Sequence, residues 1–472
     1  MKFTSRRRFL GSSTLGLALL SLRAESESNV RQTNQAKRSG AQPNRLTHDR
    51  TTDTLWIIPH THWEGAVFKT REEYLQMGLP HILTALNLLR GDPDYRFVLD
   101  QVAYVKPFLK RYPEAAPDFK RFVKDGRLQI VCGNDVMLDV NMPSGESWIR
   151  QVLYGKGYFK RELGVDVTVG WALDTFGHHA QMPQLLKLAG YKSYWIQRGV
   201  PGESTPSEFQ WRGIDGSKIP AFWLPLSYAL FYPCPRNLFE FNSYAQGIWK
   251  RLGHYSHWPN RVALGGADVV NPEAILPEMV SKFDQKIDKP FTIRFAVPTD
   301  FEALVSQRTN RPVISGELNP VFQGVYSSRI ELKQWLRELE RLLTTAEKLS
   351  AVAIWLGTPP YDRDLTRAWE PVLFNEAHDL ISGDMVDKVY RGTIRRYEFS
   401  KALADDMVDN NLGALASRIG TAVSDTDSYT GIPIFVFNNL GWPRSDIAIA
   451  RIGFPLSGIT SIQVRDHLGH EV

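Results

Sequence analysis

His62 and Glu64 stand two residues apart in the segment His60-Thr61-His62-Trp63-Glu64, directly after the apolar run Leu55–Ile58. Side chains at i and i+2 on a loop leaving a strand can reach one cation, although the same pattern also suits a structural turn. Asp174 closes another apolar run and precedes Thr175-Phe176-Gly177-His178, where a helix N-cap region is the plainer reading. His378-Asp379 lies at the end of a helix-like stretch, where a histidine is favoured by the macrodipole alone. Together His62, Glu64, Asp174 and His378 offer two imidazoles and two carboxylates, the donor set of a hard-to-borderline divalent cation such as zinc. Asp92, Asp94, Asp135 and Asp139 are rival carboxylates that spacing does not separate from these. The two cysteines, Cys132 and Cys234, show no CxxC or CxxH spacing, so neither a disulfide framework nor a thiolate metal site is indicated.

Elements that would position such groups can be traced along the chain. Short β-branched, aromatic and aliphatic runs at Leu55–Ile58, Phe97–Leu99, Leu128–Val131, Val167–Leu173, Ser193–Gln197, Val262–Leu264 and Phe291–Val297 alternate with helix-like stretches. That alternation implies βα units and a parallel sheet, an α/β fold. The polar residues follow the runs: His62 and Glu64 the first, Asp174 the fourth, Arg198 the fifth, Asp268 the sixth. Barrels and open doubly wound sheets both build sites at carboxyl strand ends, so this pattern leaves the choice between them open. From Ser327 to Leu349, Leu332, Trp335, Leu336, Leu339, Leu342, Leu343, Ala346 and Leu349 follow helical spacing, predicting a long amphipathic helix. A second helix is expected from Leu365 to about Ala377, kinked or restarted at Pro371, and a third from Met385 to about Ile419, forming a bundle. Beyond Asp425, the runs 432–438 and 446–452 read as strands of a β-rich domain.

Of 472 residues, 43% are hydrophobic and 23% charged, a globular composition that excludes disordered and collagenous classes. The formal charge of +5 is concentrated at the start. Residues 1–50 hold ten Lys/Arg against three Asp/Glu, leaving a net −2 on residues 51–472. Phosphate-backbone binding needs a basic field that the body lacks, so no nucleic-acid partner is expected. Ser5-Arg6-Arg7-Arg8-Phe9-Leu10 before the short apolar run Leu15–Leu22 reads as a twin-arginine export signal, too short for a membrane span. The expected organisation is an export signal over 1–30, a linker over 31–53, an α/β catalytic domain over 54–310, a helical bundle over 311–422 and the start of a β domain over 423–472. A periplasmic or extracellular location follows from that signal.

Three segments carry a resemblance. Ile58-Pro59-His60-Thr61-His62-Trp63-Glu64, then Trp171 to His178 with Leu185-Leu186-Lys187-Leu188-Ala189-Gly190-Tyr191, then Ala377-His378-Asp379-Leu380-Ile381-Ser382-Gly383, are similar to the signature regions of glycoside hydrolase family 38, the α-mannosidases, in that family's order. Further similarity lies in Gly133 to Gly155, Gly265 to Pro277 and Gly324-Val325-Tyr326-Ser327-Ser328-Arg329, so it runs from about residue 54 to about 445. The resemblance implies a seven-stranded parallel α/β barrel, a helical bundle and β-sandwich domains. It implies one zinc ion on His62, Glu64, Asp174 and His378, with Asp174 also the nucleophile of a retaining mechanism. It places Arg198 beside that nucleophile, Asp379 on the sugar, and Asp268 as general acid ahead of Asp135 and Asp139. Three features depart from the family: Glu64 stands where Asp is usual, Val67-Phe68 replaces a stacking aromatic, and the chain stops at Val472, before several hundred residues of β domains.

The expected function is therefore a zinc-dependent retaining α-mannosidase acting on mannose-containing oligosaccharides or glycoconjugates. A metal-dependent polysaccharide deacetylase, releasing acetate, is the second enzyme reading, and a glycan-binding relative without turnover is the third.

Overall fold

The computed structural model describes residues 53–420 and 432–471, except 201, 203, 204, 320, 321, 360, 361, 455–457, 467 and 469. The expected export signal, and all of the linker except Asp53, lie outside the described residues. The elements of the first part run, in order, β1 (Thr54–Pro59), α1 (Arg71–Gly91), β2 (Phe97–Leu99), α2 (Val102–Arg111), α3 (Ala116–Lys124), β3 (Leu128–Ile130), α4 (Gly145–Leu163), β4 (Val169–Ala172), α5 (Met182–Leu188) and β5 (Ser193–Ile196). They continue with β6 (Glu208–Arg212), β7 (Lys218–Trp223), α6 (Leu238–Leu252), β8 (Asn260–Gly265), α7 (Ile275–Asp284), β9 (Thr292–Phe295), α8 (Pro298–Val305) and β10 (Val313–Ser315). All seven strands expected from sequence are present, and β6, β7 and β10 are additional.

β1 is buried along its whole length because it is paired on both edges, parallel to β8 and to β9. Its side chains alternate between two packed layers: Leu55 and Ile57 join one apolar cluster, Trp56 and Ile58 the other. The expected α/β class holds, whereas the expected closed seven-stranded parallel barrel does not. The described strands form three sheets, in the orders β8-β1-β9, β10-β6-β7-β5-β4 and β2-β3, and β6 runs antiparallel to β7. Isolated contacts link the sheets: His60 bridges to Val98, and the Cys132 N–H donates to the Val169 carbonyl. The physical reason lies in the strand ends. β2 and β3 have three residues each, and Cys132 and Gly133 turn the chain at once into positive φ (65° and 73°), where ladder pairing stops.

Three long helices follow: α9 (Ile330–Trp355), α10 (Asp362–Asn375) and, after the short α11 (His378–Ser382), α12 (Asp387–Ala416). Leu332, Leu336, Leu339, Leu343 and Ala346 of α9 are buried, as the helical spacing requires. Pro371 does not restart the helix, since α10 runs through it; burial of Ala368, Trp369, Val372 and Leu373 around it offsets one missing hydrogen bond. The helix ends at Asn375, Ala377 is extended, and His378 opens α11. His378 therefore does not sit at a helix C-terminus, and the macrodipole reading fails. The strands expected at 432–438 and 446–452 are not formed: the described residues 432–454 carry no strand. Alternating apolar residues become a strand only against a partner edge, and the described residues supply none there. Among the described residues, no helix is long and apolar enough to cross a membrane.

Candidate metal and catalytic centre

The loops after β1 and β8 stay paired past the ends of their strands. His62 N–H donates to the Ala267 carbonyl (3.0 Å) and Val269 N–H to the His62 carbonyl (2.8 Å), so the adjacency of two parallel strands sets Asp268 beside His62. Gly266 has no room for a side chain, since a Cβ there would lie 1.9 Å from the His60 carbonyl oxygen. His60 is a structural residue: buried, it contacts the Tyr228 carbonyl through Nε2 at 2.9 Å, and burial lowers its pKa to about 4. Trp63 anchors the same loop by stacking on Tyr104, with ring centroids 4.6 Å apart.

β4 and β5 are parallel neighbours, and that places Asp174 next to Arg198. Arg198 Nε donates to Asp174 Oδ1. Asp174 Oδ2 faces two imidazoles, 3.9 Å from His62 Nε2 and 3.6 Å from His378 Nε2. His378 is oriented by its other nitrogen, Nδ1, 2.8 Å from the Met137 carbonyl; donating there leaves Nε2 with its lone pair toward Asp174. Burial alone would raise the Asp174 carboxyl, but the closeness and charge of His378, with His62 and Arg198, pull it well below the usual carboxylate range. Burial lowers His62, whereas at His378 the charges of Asp379 and Asp174 overcome burial and raise it.

Glu64 is pushed up to about 9 by burial and then by the neighbouring Asp379, and Asp379 is itself raised to about 6, chiefly by burial. Asp379 Oδ2 lies 3.5 Å from His378 Nε2. Both ring nitrogens of His62, Nε2 of His378 and Oδ2 of Asp379 are buried with no hydrogen-bond partner. Groups this polar are costly to bury unless something binds them. Donor atoms of His62, Asp174 and His378 lie within 4.8 Å of one another, as do those of His62, Glu64 and Asp268. All four predicted ligands are thus brought together, as two triads sharing His62, and Asp268 joins the second. Two unpaired imidazoles among several carboxylates fit a divalent cation.

The rival carboxylates fall in neither triad. Asp92 accepts the Asp94 N–H in a turn after α1. Asp139 accepts the N–H groups of Asn141 and Met142, each at 2.8 Å, and Asp135 is buried near Arg71 and Lys106. Tyr228 is the residue that sequence reasoning missed. Its hydroxyl donates to Asp268 Oδ1 at 2.8 Å and its ring centroid is 5.4 Å from that of His62. It follows β7, a strand absent from the sequence-based set, so no pattern pointed to it. Phe68 is 73% exposed. The aromatics at this site are instead Phe176 and Phe322, in edge-to-face contact, with the Arg198 guanidinium 5.6 and 5.3 Å from their centroids.

Comparison with known proteins bears on the family and the fold. Residues 53–319 match the glycosyl hydrolases family 38 N-terminal domain and residues 320–415 the alpha mannosidase middle domain. Alpha-mannosidase 2C1 of Homo sapiens is 24% identical over 402 residues, 84% of this chain and 37% of that protein. The alpha-mannosidase of Saccharomyces cerevisiae is 26% identical over 420 residues, 84% of this chain and 36% of the relative. The chain thus spans little more than a third of the length of these relatives. The crystal structure of an alpha-mannosidase from Enterococcus faecalis superposes with a TM-score of 0.73 at 24% identity, covering 79% of this chain and 44% of that one.

Proposed function

This chain belongs to glycoside hydrolase family 38, and we propose that it is a zinc-dependent retaining α-mannosidase hydrolysing terminal α-mannosides of oligosaccharides or glycoconjugates. The observation that carries this reading is the buried triad of His62, Asp174 and His378, with unpaired imidazole nitrogens facing one carboxylate. His62, Glu64, Asp174 and His378 would hold the ion, a nitrogen and oxygen set that zinc accepts. When bound, zinc would grip sugar hydroxyls and offset the charge that develops in the ring.

The protein's own groups account for the bond changes. Asp174, held ionised and oriented by Arg198, attacks the anomeric carbon as the bond to the leaving oxygen breaks, forming a glycosyl-aspartate ester. Asp268 gives that oxygen its proton. Asp268 then takes a proton from water as the water attacks the anomeric carbon, which frees the sugar and restores both carboxyl groups. Tyr228 aims Asp268, and Asp379 receives sugar hydroxyls. The twin-arginine motif at Ser5–Leu10 supports export of the folded chain.

The test uses an aryl α-mannoside with zinc or a chelator, on the parent chain and on Asp174→Ala. Turnover that needs zinc, disappears in the folded variant and releases the α-anomer first supports the proposal. Acetate release from an acetylated glycan would favour the deacetylase reading, and sugar binding without turnover by the zinc-loaded chain the binding-only reading. Full activity of Asp174→Ala would overturn the nucleophile assignment.

A further inference from the structure

One buried side chain joins the two halves of the centre. Gln101 precedes α2 as its N-cap, yet it makes no side-chain cap bond to that helix. Its amide, in a residue only 1% exposed, points the other way. Nε2 donates to the Trp63 carbonyl (2.9 Å) and to Asp100 Oδ2 (3.1 Å), and Oε1 accepts the Met137 N–H (2.8 Å). Turning the amide over would set NH2 against N–H and oxygen against carbonyl, so this orientation is the one the partners allow.

Both partners adjoin the metal centre. Trp63 is the residue between His62 and Glu64. The Met137 carbonyl receives both the Nδ1–H and the backbone N–H of His378 (2.8 and 3.2 Å). The Met137 residue is therefore tied at its N–H by Gln101 and at its carbonyl by His378. Around it the 134–139 segment is fixed at both ends. Val102 and Ala103 N–H donate to the Asn134 and Asp135 carbonyls, Thr175 Oγ1 to the Leu138 carbonyl, and Asp139 N–H to the Glu376 carbonyl. Gln151 of α4 braces the same segment from behind, accepting Asp135 N–H and donating to the Leu373 carbonyl.

We propose that Gln101 is a positioning residue for the metal centre, keeping the segment that orients His378 in register with the loop that carries His62 and Glu64. The proposal rests on reading the His62, Asp174 and His378 triad as a metal site. An apolar side chain of equal length would fill the same space with no bond to either segment, leaving the Trp63 carbonyl and Met137 N–H unsatisfied. The two sets of ligands would then lose their common reference.

The test measures zinc affinity of the full chain by chelator competition for the parent, Gln101→Met, Gln101→Asn and Asn411→Leu, with the melting temperature of each metal-free form. Asn411 bonds Ser350 in the helical bundle and serves as a destabilised control. Gln101→Met should bind zinc about 10 to 100-fold more weakly, the usual effect of losing a group that orients ligands. Asn411→Leu should melt earlier yet keep the parent's affinity. Gln101→Asn keeps a buried amide too short to span both partners, so it should also lose affinity; it decides the matter if Gln101→Met does not fold. Parent-like zinc affinity in a folded Gln101 variant would overturn the proposal while leaving the metal site standing. Failure of the parent to take up zinc would overturn the metal-site reading and this proposal with it. An equal loss in Asn411→Leu would assign the effect to stability and overturn it too.

Discussion

At the scale of single residues, the centre combines groups that are costly apart and compatible only together. Asp174 is ionised because His378, His62 and Arg198 surround it, while Glu64 is raised by burial and by Asp379, and Asp379 chiefly by its own burial. Tyr228 is where one atom can be removed with little disturbance: its hydroxyl meets Asp268 and its ring stays packed. Tyr228→Phe should lower kcat/KM on an aryl α-mannoside by up to about tenfold, the scale of one hydrogen bond, with the melting temperature nearly unchanged. Parent-like kinetics would remove Tyr228 from the aiming of Asp268.

At the scale of elements, the turn between β3 and α4 carries a buried acid outside the metal centre. Asp135 is pushed up to about 7 by burial, which prevails over the nearby charge of Arg71. The folded chain therefore holds a proton that the unfolded chain releases near pH 4. That contribution to stability is complete below about pH 4 and is lost as pH rises through about 7; by linkage it is at most about 4 kcal/mol. Asp135→Asn, neutral at every pH, should melt close to the parent at pH 4 and increasingly above it toward pH 8. Melting curves of the metal-free proteins that run parallel from pH 5 to 8 would count against a raised Asp135.

For the chain as a whole, the candidate centre joins segments more than 300 residues apart, since His62 follows β1 and His378 follows the second bundle helix. Another large-scale feature is apolar. Ile447 and Ile449 are 89% and 90% exposed, and Val436 is 73% exposed. Exposed apolar side chains two residues apart, such as Ile447 and Ile449, favour association. The double substitution Ile447→Lys with Ile449→Lys should therefore reduce concentration-dependent self-association of the full chain, measured by light scattering, without changing its zinc affinity. Identical scattering from parent and variant would show that this segment does not mediate association.

Periodicity and local chemistry in the sequence located seven strands and three long helices, and with them the carboxyl strand ends after which His62, Glu64, Asp174, Arg198 and Asp268 stand. Such patterns report burial and repeat length, which neighbouring residues largely decide. They do not report which strand lies beside which. Pairing of β1 with β8 brings Asp268 to His62, the β6 and β7 hairpin carries Tyr228 into place, and the break after Asn375 turns His378 toward the Met137 carbonyl. Division into three sheets and the absence of strands at 432–454 are of the same kind. Each depends on contacts between segments far apart in the chain, whose free energy no local window contains, and only the tertiary structure decided them.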